Sequence, residues 1–336
     1  MAATAYTVPI QRVKAFVGLG LRRGWDIEGM MREAGVSPTL LAESRSRVTT
    51  AQISKLIQLL WAATDDELWG LGAAPVPRGT FRLLSFGLLG SGDVKTALVR
   101  CEQFTKALPG MPPIRTCTAD GLSKLWVDLS GVDAPMDLLV DAVLTTMHRF
   151  LGWAIGQRIP LARVEVPYQN SGGVDLPDDY DLIFGAPVVF GAPAPALVFG
   201  SEILTAPLVR SDAELEQYIR NSPVDIIARR DYGTSLTDRV RHMLKPGRHE
   251  QLPSMDDIAA RLAMSPQTIR RKLREENTSL REIREQVLRD AAIAALASGD
   301  ETIAALSMRL GFSEPSAFTR AFRRWTGSPP GSYRPG

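Results

Sequence analysis

Apolar positions recur with two different periods along this chain, and the change between them marks its organisation. From Pro9 to Trp69 the period is helical: Val13, Phe16, Val17 and Leu21 share one face, Gly24 interrupts, and Ile27, Met30, Met31 and Ala34 resume it. Gly35-Val36-Ser37-Pro38 reads as a helix stop followed by a start, with Ser37 as N-cap and Pro38 at the first helical position. Thr50 opens a further helix, with Ile53, Ile57, Leu60 and Trp61 on one face. Pro75–Ser91 is apolar, interrupted by glycines, and carries Arg78 and Arg82. It has two readings: a segment beside a ligand that offers an arginine to an anionic group, or, more plainly, a buried connection between helices. Asp93–Leu108 is helical again.

The period then changes to strand-like alternation. Ile114–Thr118 and Leu122–Leu129 flank Ala119-Asp120-Gly121, and Asp-Gly between two short alternating runs predicts a hairpin. Met136–Ile155 is a long apolar helix containing Met147, Phe150, Leu151 and Trp153. Ala162–Tyr168 alternates as a strand, and Gly173–Pro177 is a turn. Asp178, Asp179 and Asp181 invite a metal reading, but charges at a helix start are the simpler one. Pro187–Phe190 and Ala196–Phe199 form two more short strands about Gly191-Ala192-Pro193. The chain to about Leu208 therefore reads as one α+β domain, helices plus a small sheet. Ser211–Arg230 is a polar helix broken near Pro223, and the connection between domains falls at residues 222–233. This gives an N-terminal domain over 1–221 and a C-terminal domain over 234–336.

The C-terminal part is all helical. Leu236–Leu244 ends at Lys245-Pro246-Gly247. Ser254 caps a helix that turns Ile258, Ala259 and Leu262 inward, Met264-Ser265-Pro266 is a turn, and the next helix, about Pro266–Glu275, buries Ile269 and Leu273. Ser279–Ala297 follows as a long helix with Ile283, Val287, Leu288, Ala291 and Ala294 at helical spacing. Ile303, Leu306 and Leu310 mark a short helix, Gly311 suits a left-handed cap and Phe312 packs back on it. Ser313 is the expected N-cap of a last helix, about Glu314–Trp325, with Pro315 in its first turn. Its inner side holds Ala317, Phe318, Ala321, Phe322 and Trp325, while Tyr333 and Arg334 fall in a short tail. Phe312, Phe318, Phe322 and Trp325 are core rather than reading residues. A short helix, a tight turn and a second helix with a basic polar face can place that second helix in a DNA major groove. Here the arrangement occurs twice.

GFSEPSAFTRAFRRWTGSPPGSYR (Gly311–Arg334) resembles the C-terminal signature of the AraC/XylS family of bacterial transcription regulators. The match includes the Gly-Phe turn, the S-x-F-x-R-x-F core and the trailing G-x-x-P-x-x-Y-R. SMDDIAARLAMSPQTIRRKLREEN (Ser254–Asn277) resembles the first of the two helix-turn-helix motifs of the same module. The order of elements over about Ala15–Leu208, including FGAPVVFGAPAPALVF, is similar to the arabinose-binding-like sensor domain of one branch of that family. The resemblance implies a DNA-binding regulator, more often an activator, that acts with RNA polymerase and senses a small effector through its N-terminal domain. It implies Gln267, Arg270 and Arg271 in the first reading helix, and Glu314, Ser316 and Arg320 in the second, as base-reading positions. Arginine pairs with guanine and glutamine with adenine through paired hydrogen bonds. Thr268, Lys272, Arg274, Thr319, Arg323 and Arg324 are assigned to the phosphate backbone, where contacts position without specifying. Pro315 and Ala317 donate no side-chain hydrogen bonds, so the second helix discriminates less. A homodimer is expected, because two linked modules gain affinity through effective concentration. Candidate effector-pocket residues are Arg78, Phe81, Arg82, Phe86, Phe150 and Trp153, which suit an apolar molecule with one acidic group.

Composition supports this without adding to it. Arg229 to the end carries 19 Lys and Arg against 13 Asp and Glu, while the preceding part has 20 against 24, so only one end is suited to a polyanion. No apolar run reaches membrane-spanning length and the first residues lack a signal-peptide core, so the cytoplasm is the expected location and no membrane contact is expected. Cys101 and Cys117 are not in a ligand spacing and read as buried or idle thiols, and His148, His242 and His249 are scattered. With no G-x-S-x-G, P-loop or dinucleotide fingerprint, neither an enzyme nor a cofactor is expected. A DNA-binding protein whose first domain only dimerises or meets another protein is the alternative. A partly apolar cavity in that domain favours sensing.

Overall fold

The computed structural model describes residues 6–132, 136–169, 184–228, 235–244, 252–276 and 278–334. Along the chain the elements are β1 (Thr7–Pro9), α1 (Ile10–Arg23), α2 (Ile27–Glu33), a 3-10 turn (Pro38–Ala42), β2 (Arg47–Thr49), α3 (Thr50–Thr64), α4 (Thr80–Leu89) and α5 (Val94–Ala107). Then come β3 (Ile114–Ala119), β4 (Leu122–Val127), α6 (Met136–Ala154), β5 (Leu161–Glu165), β6 (Val188–Val189), β7 (Ala196–Gly200), α7 (Asp212–Arg220) and α8 (Val224–Ala228). The C-terminal part holds α9 (Leu236–Met243), α10 (Met255–Leu262), α11 (Pro266–Glu275), α12 (Leu280–Ser298), α13 (Ile303–Arg309), α14 (Pro315–Thr326) and a closing 3-10 turn (Pro330–Tyr333). The N-terminal region is thus mixed helix and sheet, and the C-terminal region is helical. The expected turn at Gly173–Pro177, the acidic trio Asp178, Asp179 and Asp181, His249, and the stops at Asp231–Thr234 and Lys245–Gly247 lie outside the described residues.

Packing divides the chain differently from a cut at 221 or 234. One compact unit combines Met1–Leu56 with Gly233–Gly336, and the other is Ile57–Tyr232. The reason lies in non-local contacts within the first unit. β1 pairs antiparallel with β2, Thr7 opposite Thr49, and both pack on α12. There Thr7 Oγ1 donates to Asp290 Oδ1 at 2.6 Å, while Arg47 Nε donates to Thr7 Oγ1 at 2.8 Å. Tyr333 is not a loose tail: it is 4% exposed, its ring meets Phe322 edge-on at 5.1 Å, and its hydroxyl accepts the Arg47 backbone N–H at 3.1 Å. Gly327 closes α14 with φ +74, a left-handed backbone conformation that favours glycine.

Local expectations hold where capping chemistry decides. Gly24 ends α1 with φ 70, and Asp93 caps α5 by accepting the Thr96 N–H. Ser279 caps α12, and Asp120 (φ 52) with Gly121 (φ 76) makes the two-residue hairpin between β3 and β4. Differences arise where only tertiary packing decides. Leu21 is 65% exposed, because α1 buries Ile10, Val13, Phe16, Leu19 and Gly20 instead. In α12, Leu288, Ala291 and Ala294 are only half-buried, while Asp290 is buried. Pro75–Ser91 is not merely a connection, since most of it is α4. The polar stretch from Ser211 is two helices, the first closed by a capping box between Ser211 and Glu214 and the second beginning after Pro223.

In the second unit the sheet order is β3-β4-β7-β5-β6, antiparallel except for β5 with β6. The two short strands about Gly191 are therefore not neighbours, because β5 lies between them. His148 of α6 is 3% exposed, and its Nε2 donates to the Ile159 carbonyl at 3.0 Å. Burial, with the charges of Arg149 and Arg158, holds its pKa down at about 3. The unfolded chain takes up this proton near pH 6.5 and the folded chain does not, so stability is full above that pH and falls as pH is lowered. The slope approaches about 1.4 kcal/mol per pH unit. His148→Gln, which keeps an N–H donor, is expected to flatten this slope when melting is followed from about pH 7.5 to 5.

Candidate nucleic-acid interface and ligand cavity

Two pairs of helices in the first unit share one construction. Ser254 caps α10 in a capping box with Asp257, and Ile258, Ala259 and Leu262 are buried. The chain then turns through Ala263 at φ 51, with the Met264 N–H reaching the Ala259 carbonyl at 3.1 Å. Ser265 caps α11 by accepting the Thr268 N–H, and Pro266 takes the first helical position, where a missing N–H costs nothing. In the second pair, Thr302 caps α13, and Gly311 (φ 83) makes the turn. The Gly311 N–H goes to the Met308 carbonyl and the Phe312 N–H to the Ser307 carbonyl, each at 3.0 Å, the paired bonds of a Schellman motif. α14 begins one residue later than expected: Glu314 (φ -145), not Ser313, is its N-cap residue, and its side chain makes no capping bond.

The second helix of each pair buries one face and exposes the other. In α11, Ile269 and Leu273 enter a core shared with Leu236, Val240, Leu244 and Ile283. Gln267, Arg270, Arg271, Lys272 and Arg274 are exposed, and Thr268 is half-buried with its hydroxyl 2.8 Å from that of Ser265. Arg271 pairs with Glu275 at 2.5 Å along the helix. In α14, Phe318 and Phe322 are fully buried, and Phe312 and Trp325 pack on them half-buried, with Phe312 centred 5.5 Å from Phe318 and 6.1 Å from Trp325. Glu314, Ser316, Arg320, Arg323 and Arg324 are exposed. Ser316 donates to Glu314 at 3.0 Å, Thr319 to the Pro315 carbonyl at 2.9 Å, and Arg324 reaches Glu285 at 3.4 Å. Among the described residues Arg270, Lys272, Arg274, Arg320 and Arg323 make no ion pair, so these charges remain available to an anionic partner.

The second unit contains a cavity of about 690 Å³, within the range of small-molecule sites. Its walls come from α3, α4, α5, α6, α7 and α8, with Trp61, Trp69, Phe81, Met147, Phe150 and Ile219 among the apolar lining. Arg78, Phe81, Arg82 and Phe150 line it as the sequence suggested. Phe86 lies instead under the Arg82 guanidinium at 5.4 Å, and Trp153 is stacked on Tyr218 at 4.5 Å, so neither is in the lining. Residues that periodicity did not single out also line it, notably Asp65, Glu67 and Ser85. No sequence motif marks them: Glu67 turns in because its carboxylate caps α4, accepting the N–H groups of Gly79 at 2.7 Å and Phe81 at 2.8 Å. Burial nevertheless raises the Glu67 pKa, against the backbone bonds and the Arg78 charge that lower it. Cys101 lines the same cavity, with its thiol pushed up to about 12 by burial, whereas Cys117 is exposed on β3. Among the described residues no helix is long and apolar enough to cross a membrane.

Two features, paired helices with a basic outer face and a ligand-sized cavity in the second unit, fit a DNA-binding regulator with a sensor-like domain. Comparison with known proteins makes the class specific. Residues 24–208 match the family described as the arabinose-binding domain of AraC transcription regulators, N-terminal, and residues 258–336 match a helix-turn-helix domain family. The chain belongs to the AraC family of transcription regulators. A relative in Mycobacterium tuberculosis, an uncharacterized HTH-type transcriptional regulator, is 34% identical over 339 residues, covering 97% of this chain and 95% of that one. The ornithine utilization regulator of Pseudomonas aeruginosa is 23% identical over 335 residues, covering 98% and 97%. The crystal structure of transcriptional regulator CdpR from the same organism aligns at 24% identity over 75% of this chain and 82% of that one, with a TM-score of 0.29.

Proposed function

We propose that this regulator reads DNA with two helix-turn-helix motifs, α10–α11 and α13–α14, joined by the long helix α12, and that the cavity of its second unit receives a small effector. The observation that carries the DNA reading is the repeat of one construction, a Schellman-type turn followed by a helix whose exposed face is polar and basic. In this reading Gln267, Arg270 and Arg271, with Glu314, Ser316 and Arg320, face base edges. Thr268, Lys272, Arg274, Thr319, Arg323 and Arg324 hold the backbone. Successive major grooves on one face of a duplex lie ~34 Å apart, so a two-motif module engages two of them. Residues 1–221 then serve sensing and dimerisation, 222–233 connect, and 234–336 supply the reading helices, although residues to Leu56 pack with them. Homodimer formation, action as an activator with RNA polymerase, and the lack of any catalytic role belong to the same proposal.

Selection of duplexes by the full-length protein from a random pool is the test. A recurring site with two blocks one helical turn apart is expected, and enrichment without any shared sequence overturns the reading. On the selected site Arg270→Ala is expected to lose about 1–3 kcal/mol and to relax preference at one position. Arg323→Ala is expected to weaken all sequences alike and to lower the salt dependence by about one unit of slope.

A further inference from the structure

The charges in the cavity lining do not choose a ligand. Arg78 and Arg82 are matched in number by Asp65 and Glu67. Asp65, Arg78 and Arg82 are exposed, where water screens a charge and an ion pair contributes little. Glu67 is half-buried, and its two oxygens accept the Gly79 and Phe81 N–H groups. Selection therefore falls to the buried wall. Among the described residues, no buried member of the lining is charged.

That wall is built from two helix faces. On α4, Phe81, Leu84, Ser85 and Leu88 recur at i, i+3, i+4 and i+7, and all four line the cavity. On α6, Val143, Thr146, Met147 and Phe150 repeat the same spacing and line it too. Phe81 and Phe150 pack edge-on with ring centroids 6.0 Å apart, and Ser85 and Thr146 each stand one helical turn from that contact.

A hydroxyl inside a helix ordinarily donates to the carbonyl four residues back, as Thr105 of the same lining does to Cys101 at 2.9 Å. Thr105 also accepts the Ile114 N–H at 3.1 Å, and the Ser222 hydroxyl donates to the Tyr218 carbonyl at 3.1 Å. Ser85, 1% exposed, and Thr146, half-buried, differ: among the described residues neither hydroxyl has a hydrogen-bond partner. A buried donor that makes no bond is costly, so a ligand oxygen that accepts from it gains on binding. A charged group carried to the same wall sheds its water and meets no counter-charge there. A carbonyl oxygen satisfies both conditions, since it accepts two hydrogen bonds and carries no charge.

We infer that the cavity takes an uncharged apolar carbonyl compound, its body against Leu88, Val143, Met147 and Phe150 and its oxygen accepting from Ser85 and Thr146. This rests on the reading of the cavity as the effector site, and it replaces the acidic group expected from the sequence with a neutral acceptor.

The test uses the full-length protein and three probes with one diphenyl body: benzophenone, diphenylmethane, which lacks the oxygen, and diphenylacetate, which carries a carboxylate on the same carbon. Melting shifts and calorimetric titration measure the affinity of each. Ser85→Ala and Thr146→Val remove the hydroxyls and nearly keep the shape of the wall. In the double variant, diphenylmethane affinity should stay within about two-fold, while the ratio of benzophenone to diphenylmethane affinity should fall at least about five-fold. The single variants apportion that fall between the two hydroxyls. A ratio unchanged in the double variant overturns the assignment of the hydroxyls and leaves the cavity as the effector site. Tightest binding by diphenylacetate overturns the uncharged class and again leaves the site. No saturable shift from any of the three overturns the effector reading of the cavity itself.

Discussion

Phe318→Ala is expected to destabilise the C-terminal helices by about 3–5 kcal/mol, the usual cost of emptying a large buried aromatic site. Phe318 has no exposed surface, and its ring is centred 5.5 Å from Phe312 and 5.7 Å from Phe322. Phe322 in turn meets Tyr333. The cluster has no slack from which to refill the void, so α14 loses the packing that fixes its rotation and its outer face together. Loss of DNA binding should therefore accompany loss of stability, although Phe318 itself touches no nucleic acid in this reading. Phe318→Leu should restore part of both. Denaturation followed by Trp325 fluorescence, with a duplex-binding titration at one salt concentration, measures the two effects. Binding retained at full strength in a destabilised Phe318→Ala protein would show that the orientation of α14 does not depend on this core.

A second large effect is expected at Asp290→Ala, far from any reading helix face. Asp290 is 3% exposed in the middle of α12; it accepts the Thr7 hydroxyl at 2.6 Å and lies 3.4 Å from Arg289 Nε. The Thr7 hydroxyl also accepts from Arg47, whose Nη2 donates to the Thr7 carbonyl at 2.9 Å. Removing the carboxylate leaves buried donors without their acceptor and a guanidinium without its counter-charge. Breaking one side of a buried pair costs about 3–5 kcal/mol, and since Arg289 keeps some access to water the lower end, about 3 kcal/mol, is expected. Asp290→Asn, which retains an acceptor oxygen, should cost about 1 kcal/mol. Hydrogen exchange resolves the site: amides of α12 near Ala292 and Ile293 should lose about 100-fold protection in Asp290→Ala. Thr7→Val should reproduce part of the loss from the other end of the chain. Unchanged protection in both would mean that β1 and β2 contribute nothing to the stability of the C-terminal helices.

Legibility in the sequence tracks the range of the forces involved. Ser254, Ser265, Ser279 and Thr302 each satisfy a helix N–H a few residues away, and Gly311 and Gly24 each take a left-handed turn. These devices act within one turn of chain, so the helix starts, the hairpin at Asp120-Gly121 and the exposed faces of α11 and α14 were legible in the order of residues alone. Ser313 and Glu314 show the margin: either residue type can precede Pro315, and the helix starts one residue later than the serine suggests. The family assignment and the regulator class were legible for the same reason, because the paired-helix construction is written in contiguous stretches.

Three features needed the tertiary structure. The first 56 residues group with the C-terminal helices because Thr7 meets Asp290 and Arg47 meets Tyr333 across more than 280 positions, and no periodicity encodes a pairing of that separation. β5 sits between β6 and β7, since sheet order depends on which edges the helices leave open. Asp65, Glu67 and Ser85 bring polar groups to the cavity lining, yet in sequence they look like ordinary polar residues. Local capping and amphipathicity thus determined which helices form and which faces they present. Burial determined which charges are already matched, and that depends on long-range packing rather than on neighbours in the chain.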